Sequence, residues 1–402
     1  MQRSRGNRYW YLLLILSIFD RQVHFGKASD SLSPGQSLTG TQTLTSKGDN
    51  FVLGFFSPGK SRNYYIGIWY KKVSLQTAVW VANRETPLPD TSAVLKISED
   101  GNLHLIDGPD NVIWSTNASS SVNVTNPRVV LRDTGNLVLQ EGSNLSVIIW
   151  QSFDHPTDTW LPGGRLGLNK VTGKNQILTS WRSLDDPAPG PFSLEIDPGN
   201  STQYFILWNR TRVYWSSGNW TGKIFDRVPE MTSNYIYNFS FTDDAENKYF
   251  SYVLYNMSII SRFVMDVSGQ IIQVTWLTTA SAWNLFWSQP RDHCDVYSLC
   301  GAFGNCNQTE QSFCKCLPGF RPTSMKEWTS SDRSSGCIRN TPLECENGSL
   351  AHGDKDEFSG MQKMQLPENP KTLRAGSRED YATEVSFECN NGGSCKLSEA
   401  SM

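Results

Sequence analysis

Residues 101–117, GNLHLIDGPDNVIWSTN, and residues 135–152, GNLVLQEGSNLSVIIWQS, are two copies of one pattern. Each opens with Gly-Asn-Leu, runs through an apolar alternation, turns, and ends a β-rich stretch near a tryptophan. Their starts lie 34 residues apart. A looser third copy begins at DNFVLGFFSPG (49–59) and carries an insertion ahead of IGIWY and AVWVAN. Repetition at such a period marks one supersecondary unit stacked several times. The period of two and the Asp-Gly, Pro-Asp and Thr-Gly punctuation make that unit a small sheet. Three inward-facing sheets with Trp69, Trp114 and Trp150 as core plugs predict a three-sided β-prism.

The segment WQSFDHPTDTWLPGG (150–164) interrupts the pattern with two prolines and a glycine pair, so a boundary is expected there. Strand signals then resume. FSLEIDPGNSTQYFIL reads as a hairpin about Asp197 to Asn200, YIYNFSFTDDAENKYFSYVLY as one about Asp243 to Asn247, and RFVMDVSGQIIQVTW as one about Ser268-Gly269. A second all-β region follows from these. After Gln289-Pro290 the chain becomes cysteine-rich, with all nine cysteines between Cys294 and Cys395.

Composition agrees. Aromatic residues make up 12% of the chain, with 14 Trp and 14 Tyr, and Gly and Pro are plentiful, which favours short strands and tight turns over helices. A net charge of −3 without a large single-sign block argues against nucleic acid and against a membrane surface. Arg3, Arg5 and Arg8 precede the apolar run Trp10 to Phe19, which is too short for a bilayer, and Gly26-Lys27-Ala28 offers a cleavage site. Residues 1–28 therefore read as a signal peptide, with no membrane anchor expected downstream. Ten sequons, at Asn117, Asn123, Asn144, Asn200, Asn209, Asn219, Asn238, Asn256, Asn307 and Asn347, are about twice the chance number. Clustered cysteines and sequons both point to a secreted, glycosylated, extracellular chain.

FVLGFFSPGKSRNYYIGIWYKKV, AVWVANRETPL, VLKISEDGNL, VIWSTN, WQSFDHPTDTWLPG, LTSWRSLDDPAPG, HCDVYSLCGAFGNC, CKCLPGF and GCIRNTPLEC occur in that order. On these stretches, which span residue 30 to about 345, the chain resembles the plant S-locus glycoproteins and the ectodomains of G-type lectin S-receptor-like kinases. The resemblance implies an all-β protein of two consecutive β-prism domains, then an EGF-like module, then a truncated PAN-type segment. The expected boundaries are 29–151 for a bulb-type lectin domain, 152–289 for the S-locus glycoprotein domain, 290–340 for the EGF-like module and 341–402 for the PAN-type part. In the family a transmembrane helix and a kinase follow, but this sequence shows no Gly-rich phosphate loop with its lysine and no HRD or DFG triplet.

Mannose-binding bulb lectins resemble Q-x-D-x-N-x-V-x-Y on three strands, where alternate residues face the sugar. Transferred to this sequence, the middle copy has Ser98, Asp100, Asn102, His104 and Ile106. The third has Arg132, Thr134, Asn136, Val138 and Gln140, and the first Ser46, Gly48, Asn50, Val52 and Gly54. Asn recurs three times, Asp once, Gln and Tyr never. Each lost sugar hydrogen bond costs about 1 kcal/mol, so weak or absent mannose binding is expected. The recurrent Asn has two readings, a mannose contact or a cap on the turn after Asp-Gly or Thr-Gly, and turn chemistry favours the cap.

Cys294, Cys300, Cys306, Cys314 and Cys316, then Cys337, resemble an EGF-like framework, which implies the pairs Cys294–Cys306, Cys300–Cys314 and Cys316–Cys337. Spacing alone leaves connectivity open. Zinc is disfavoured by the oxidising compartment, and calcium by having only Asp292-His293 ahead of the first cysteine. Cys345, Cys389 and Cys395 are left over, an odd number, so a truncated product and a genuine soluble one both stand. No H-x3-H or G-x-S-x-G occurs, and Asp185-Asp186 reads as a turn, so neither a cofactor nor enzymatic activity is expected. The resemblance implies recognition of a protein or peptide at the cell surface, in some members a pollen-coat protein during self-incompatibility, with dimerisation between S-domain receptors. The expected contact region is about 200–290. A mannose lectin and a decoy or non-functional fragment are the alternatives.

Overall fold

The structure, a computed structural model, describes residues 29–109, 111–118, 125–310, 312–329 and 333–341, with short pieces at 372–373, 376–377 and 399–400. The signal segment 1–28, Asn123, Asn347, Cys345, Cys389, Cys395 and nearly all of 341–402 lie outside the described residues. The chain divides into two compact units, one ending at Leu299 and one beginning at Cys300.

The first unit opens with three short strands, β1 (Ser31–Leu32), β2 (Ser37–Leu38) and β3 (Thr43–Thr45). Each edges a different four-stranded antiparallel sheet. β3 joins β4 (Phe51–Phe56), β5 (Tyr65–Tyr70) and β6 (Ala78–Val81). β2 joins β7 (Val94–Ile97), β8 (Leu103–Ile106) and β9 (Val112–Ser115). β1 joins β10 (Pro127–Leu131), β11 (Leu137–Glu141) and β12 (Ile148–Gln151). The opening segment thus visits the sheets in the reverse of the order in which the chain later builds them.

Alternation delivers Leu53, Ile68, Leu95, Leu105, Leu137 and Leu139 from all three sheets to one core. Trp80, Trp114 and Trp150 meet in a triangle with centroids 5.7, 5.8 and 5.9 Å apart and rings edge to face. Trp69, expected as a plug, is not one of them. Trp114 pairs with the inward Leu105 and Trp150 with the inward Leu139, whereas Trp69 pairs with Val52, one residue out of phase with the inward pair Leu53 and Ile68. One residue of phase puts a side chain on the opposite face. Trp69 packs instead on Phe56, and Trp80, paired with Ile68 on the next strand, supplies the third ring.

The second half of this unit repeats the plan. β13 (Thr159–Trp160), β14 (Arg165–Asn169) and β15 (Leu178–Ser183) again enter three sheets in reverse order. β15 pairs within β16 (Asp186–Ile196), β17 (Tyr204–Trp208) and β18 (Arg212–Ser216). β14 lies on the hairpin of β19 (Tyr237–Asp243) and β20 (Asn247–Leu254), a sheet of three strands. β13 edges β21 (Ser261–Met265), β22 (Ile271–Leu277) and β23 (Ala282–Gln289). The three expected hairpins are the pairs β16–β17, β19–β20 and β21–β22. Trp160, Tyr204, Tyr237, Phe250, Tyr252 and Phe263 fill the core. Their buried hydroxyls are satisfied, as where Tyr252 donates to the Trp160 carbonyl at 2.8 Å.

The two halves share an interface. Arg84, half-buried, donates from Nε to the Pro187 carbonyl at 2.5 Å and from Nη2 to those of Thr179 and Ser180 at 3.1 and 2.8 Å. The Lys60 amide donates to Asp185 at 3.0 Å, so the Asp185-Asp186 turn is a docking element rather than an acid pair. Trp276 joins the first core, with Trp283 packed against it.

At the junction, the His155 ring stacks on Trp150 at 5.1 Å while its edge reaches solvent, and the Trp80 indole donates to the His155 carbonyl. Burial, then the Lys174 ammonium, push the His155 pKa below its usual value, with Asp154 partly opposing them. The unfolded chain therefore binds this proton more readily, so stability falls as the pH drops below about 6.5 towards the lower folded value. His155→Gln should flatten the dependence of the urea midpoint on pH between about 7.5 and 5.5. An unchanged slope would assign the acid sensitivity to another group.

In the second unit, β24 (Gly304–Cys306) pairs β25 (Cys314–Cys316), and β26 (Phe320–Pro322) pairs β27 (Cys337–Arg339), with one short helix, α1 (Met325–Thr329). Disulfides join Cys300 to Cys314 and Cys316 to Cys337, and Cys294 and Cys306 are disulfide-bonded too. Among the described residues no helix is long and apolar enough to cross a membrane, and no group of three or more metal-ligand side chains gathers.

Candidate recognition surfaces

Asp100 and Asn102 lie not on a strand but in the turn before β8. The Ser98 amide donates to the Asn102 carbonyl at 2.9 Å and the Gly101 amide to the Ser98 carbonyl at 3.0 Å, with Gly101 at φ 79°. Residues 132–136 and 266–270 form the same turn, with Gly135 at 83° and Gly269 at 82°. This is the left-handed position that closes such hairpins and that glycine enters without strain. It explains the Gly-Asn-Leu and Gly-Gln-Ile signatures.

The recurrent Asn then bonds its own chain. Asn102 Nδ2 donates to Asp100 at 3.0 Å, and its Oδ1 accepts from the Thr116 hydroxyl and the Ala118 amide, both at 2.8 Å. Thr116 Oγ1 in turn accepts the Leu103 amide at 3.1 Å. Asn136 repeats this: Nδ2 donates to Gln151 at 2.9 Å, and Oδ1 accepts from Ser152 Oγ and the Phe153 amide at 3.2 Å. Ser152 Oγ accepts the Leu137 amide at 2.9 Å, and in the second half Ser217 accepts the Tyr204 amide at 2.8 Å. Thr116, Ser152 and Ser217 each stand two residues after a tryptophan, in WST, WQS and WSS. That spacing is the sequence signal for residues the mannose comparison passed over.

Most of the remaining positions are closed or engaged. The Asp100 carboxylate accepts from Asn102 and from His104 Nε2 at 3.1 Å. Burial raises the Asp100 pKa, but those donors outweigh it and hold the carboxyl below the usual range. Val138 is fully buried and cannot pack on a sugar ring. Arg132 donates to Gln140 at 3.2 Å, and the Thr134 hydroxyl accepts the Asn136 amide. In the first copy, Ser46 Oγ accepts the Asn50 and Phe51 amides, Asn50 accepts from Lys72, and Val52 is buried. A Cβ at Gly54 would lie 2.9 Å from Thr43, leaving no room for a tyrosine.

Asn136→Ala should therefore destabilise the fold, by about 1–3 kcal/mol, because it strands the Phe153 amide and the Ser152 hydroxyl. A urea midpoint within error of the parent would instead leave Asn136 free to act as a ligand contact.

The eight described sequons, at Asn117, Asn144, Asn200, Asn209, Asn219, Asn238, Asn256 and Asn307, are all exposed. Tyr235, Tyr255, Met257, Leu285 and Phe286 are exposed as well, all on the second half. The Tyr235 and Phe286 rings lie 6.5 Å apart, and the Tyr255 amide donates to the Ile236 carbonyl at 3.0 Å. These residues fall within the expected contact region of about 200–290, and sequence reading named none of them.

Two family models match the chain: D-mannose binding lectin over residues 77–182 and S-locus glycoprotein domain over residues 215–324. A G-type lectin S-receptor-like serine/threonine-protein kinase of Arabidopsis thaliana is 50% identical over 380 residues, covering 93% of this chain. A second receptor-like serine/threonine-protein kinase of that species is 39% identical over 363 residues, or 90% of this chain. The chain spans 44% and 41% of the lengths of those two kinases. A monomeric monocot mannose-binding lectin from Gastrodia elata is 24% identical and aligns with 31% of this chain and 96% of its own, at a TM-score of 0.24. On the two domains and the extent of the kinase match, the chain belongs to the S-domain family of S-locus glycoproteins and G-type lectin S-receptor-like kinases.

Proposed function

We propose that the chain is a secreted, non-enzymatic recognition protein that binds a protein or peptide partner through its second half. Its scaffold on this reading is two β-prisms (29–151 and 152–289), an EGF-like module (290–340) and a PAN-type segment. One contrast carries the reading: the Asp100, Asn102 and Asn136 side chains are bonded to the chain itself, while an aromatic face stands open to solvent. Tyrosine and phenylalanine exposed together suit a protein interface. Asn238 and Asn256 adjoin that face in sequence, so attached glycans restrict the approach to it and leave contact to the surface they do not cover. Kinase activity belongs to the longer relatives. Pollen recognition and dimerisation with S-domain receptors are family roles that this surface is suited to serve.

Titration of the whole chain with methyl α-mannoside should show no saturable heat in the millimolar range. Saturable binding abolished by Asp100→Ala would replace this reading with a mannose lectin. A photo-crosslinking phenylalanine analogue at Phe286, applied to source tissue, should give a discrete protein adduct absent from the exposed control position Val171. Identical adducts from both positions would sink the proposed face. Deglycosylation of extracellular fluid should lower the mass of a soluble form, and its absence there would contradict secretion.

A further inference from the structure

The latch between the two halves leaves a solvent-open cleft of about 560 Å³ beside it, with walls from both. Asn63, Tyr65 and Glu85 come from the first half, Arg182 and Asp186 from the second, and Arg84 spans the two. Pro87 and Pro189 add apolar surface. The walls are fixed relative to each other by the Arg84 bonds to Pro187, Thr179 and Ser180 and by the Lys60–Asp185 bond. A preformed cleft avoids much of the ordering cost of binding.

The chemistry selects the ligand. Arg84 and Arg182 are offset by Glu85 and Asp186, so the cleft is formally neutral and a charged ligand gains no net attraction. Arg182 Nη1 and Asp186 are already paired at 3.0 Å. The Glu85 carboxylate makes no hydrogen bond or ion pair among the described residues, and Arg84 Nη1 makes none either, its three bonds coming from Nε and Nη2. Tyr65 is fully buried and forms the floor beneath these groups rather than a donor to a ligand. Strong acceptors beside strong donors, with proline faces between them, match a molecule whose hydroxyls donate and accept around an apolar carbon skeleton.

We propose that this interdomain cleft binds a neutral oligosaccharide, at a place separate from the three sugar-equivalent turns. The site is independent of the aromatic face, so either can fail without the other. The test uses the whole chain with neutral trisaccharides (cellotriose, xylotriose, mannotriose) and a galacturonate trisaccharide as probes, read by saturation-transfer NMR and titration. At least one neutral probe should bind with Kd on the order of 1 mM. Glu85→Ala, at an exposed side chain without partners, should weaken it at least about tenfold, while Asp100→Ala leaves it unchanged. No binding by any neutral probe, binding indifferent to Glu85→Ala, or tighter binding of the galacturonate would each overturn the proposal.

Discussion

Replacing Trp80 by alanine lowers the stability of the first unit by about 3–5 kcal/mol, read as a fall in the urea midpoint. Trp80 is buried and meets both Trp114 and Trp150 edge to face, so its removal opens a cavity that two rigid rings cannot close. Its indole also donates to the His155 carbonyl at 2.9 Å, tying the centre of the first half to the junction. Trp69→Ala costs less, about 1–2 kcal/mol, since that ring is only partly buried and lies outside the triangle. Equal losses would restore Trp69 as a central plug and refute the phase argument.

Arg84→Ala removes about 3–5 kcal/mol and separates the two halves. Three carbonyls lose a charged donor at once, each such bond contributing about 1.5–3 kcal/mol before neighbours relax. Burial lowers the Arg84 pKa, with Asp158, Glu85 and Asp186 opposing, so the latch carries its charge at ordinary pH. Arg84→Lys recovers only part, because a compact ammonium cannot span the carbonyls that the planar fork reaches. Calorimetry should show one transition in the parent and two in Arg84→Ala. A single transition at an unchanged temperature would mean that the remaining contacts, the packing of Trp276 and Trp283 and the Lys60–Asp185 bond, couple the halves without Arg84.

Local pattern carried most of what the sequence revealed. The period of two, the glycine turns and the hairpins about Asp197, Asp243 and Ser268 are short-range features, set by residues a few positions apart. The failure at Trp69 has the same root. IGIWY and AVWV are adjacent apolar strands, each with one tryptophan, and composition cannot say which one faces inward. Only the register against β4 decides that. The role of Asn102 and Asn136 was half legible: their turn was visible, but Thr116 and Ser152 become partners only when a third strand returns beside the turn. The Arg84 latch was not legible at all, since its acceptors are backbone carbonyls about 100 residues away.

The reversed entry of β1, β2 and β3 bears on how a nascent chain assembles. Ser31 waits for Val130 and Leu38 for Leu95, so these two strands leave the ribosome well before the strands that pair with them. Until then two growing sheets have open borders, the condition that invites wrong pairing between neighbouring molecules. Such long sequence separations also slow closure. The few residues after position 29 therefore work as a late-closing seam, and a protease cut or fusion there would release two sheets at once rather than fray one end.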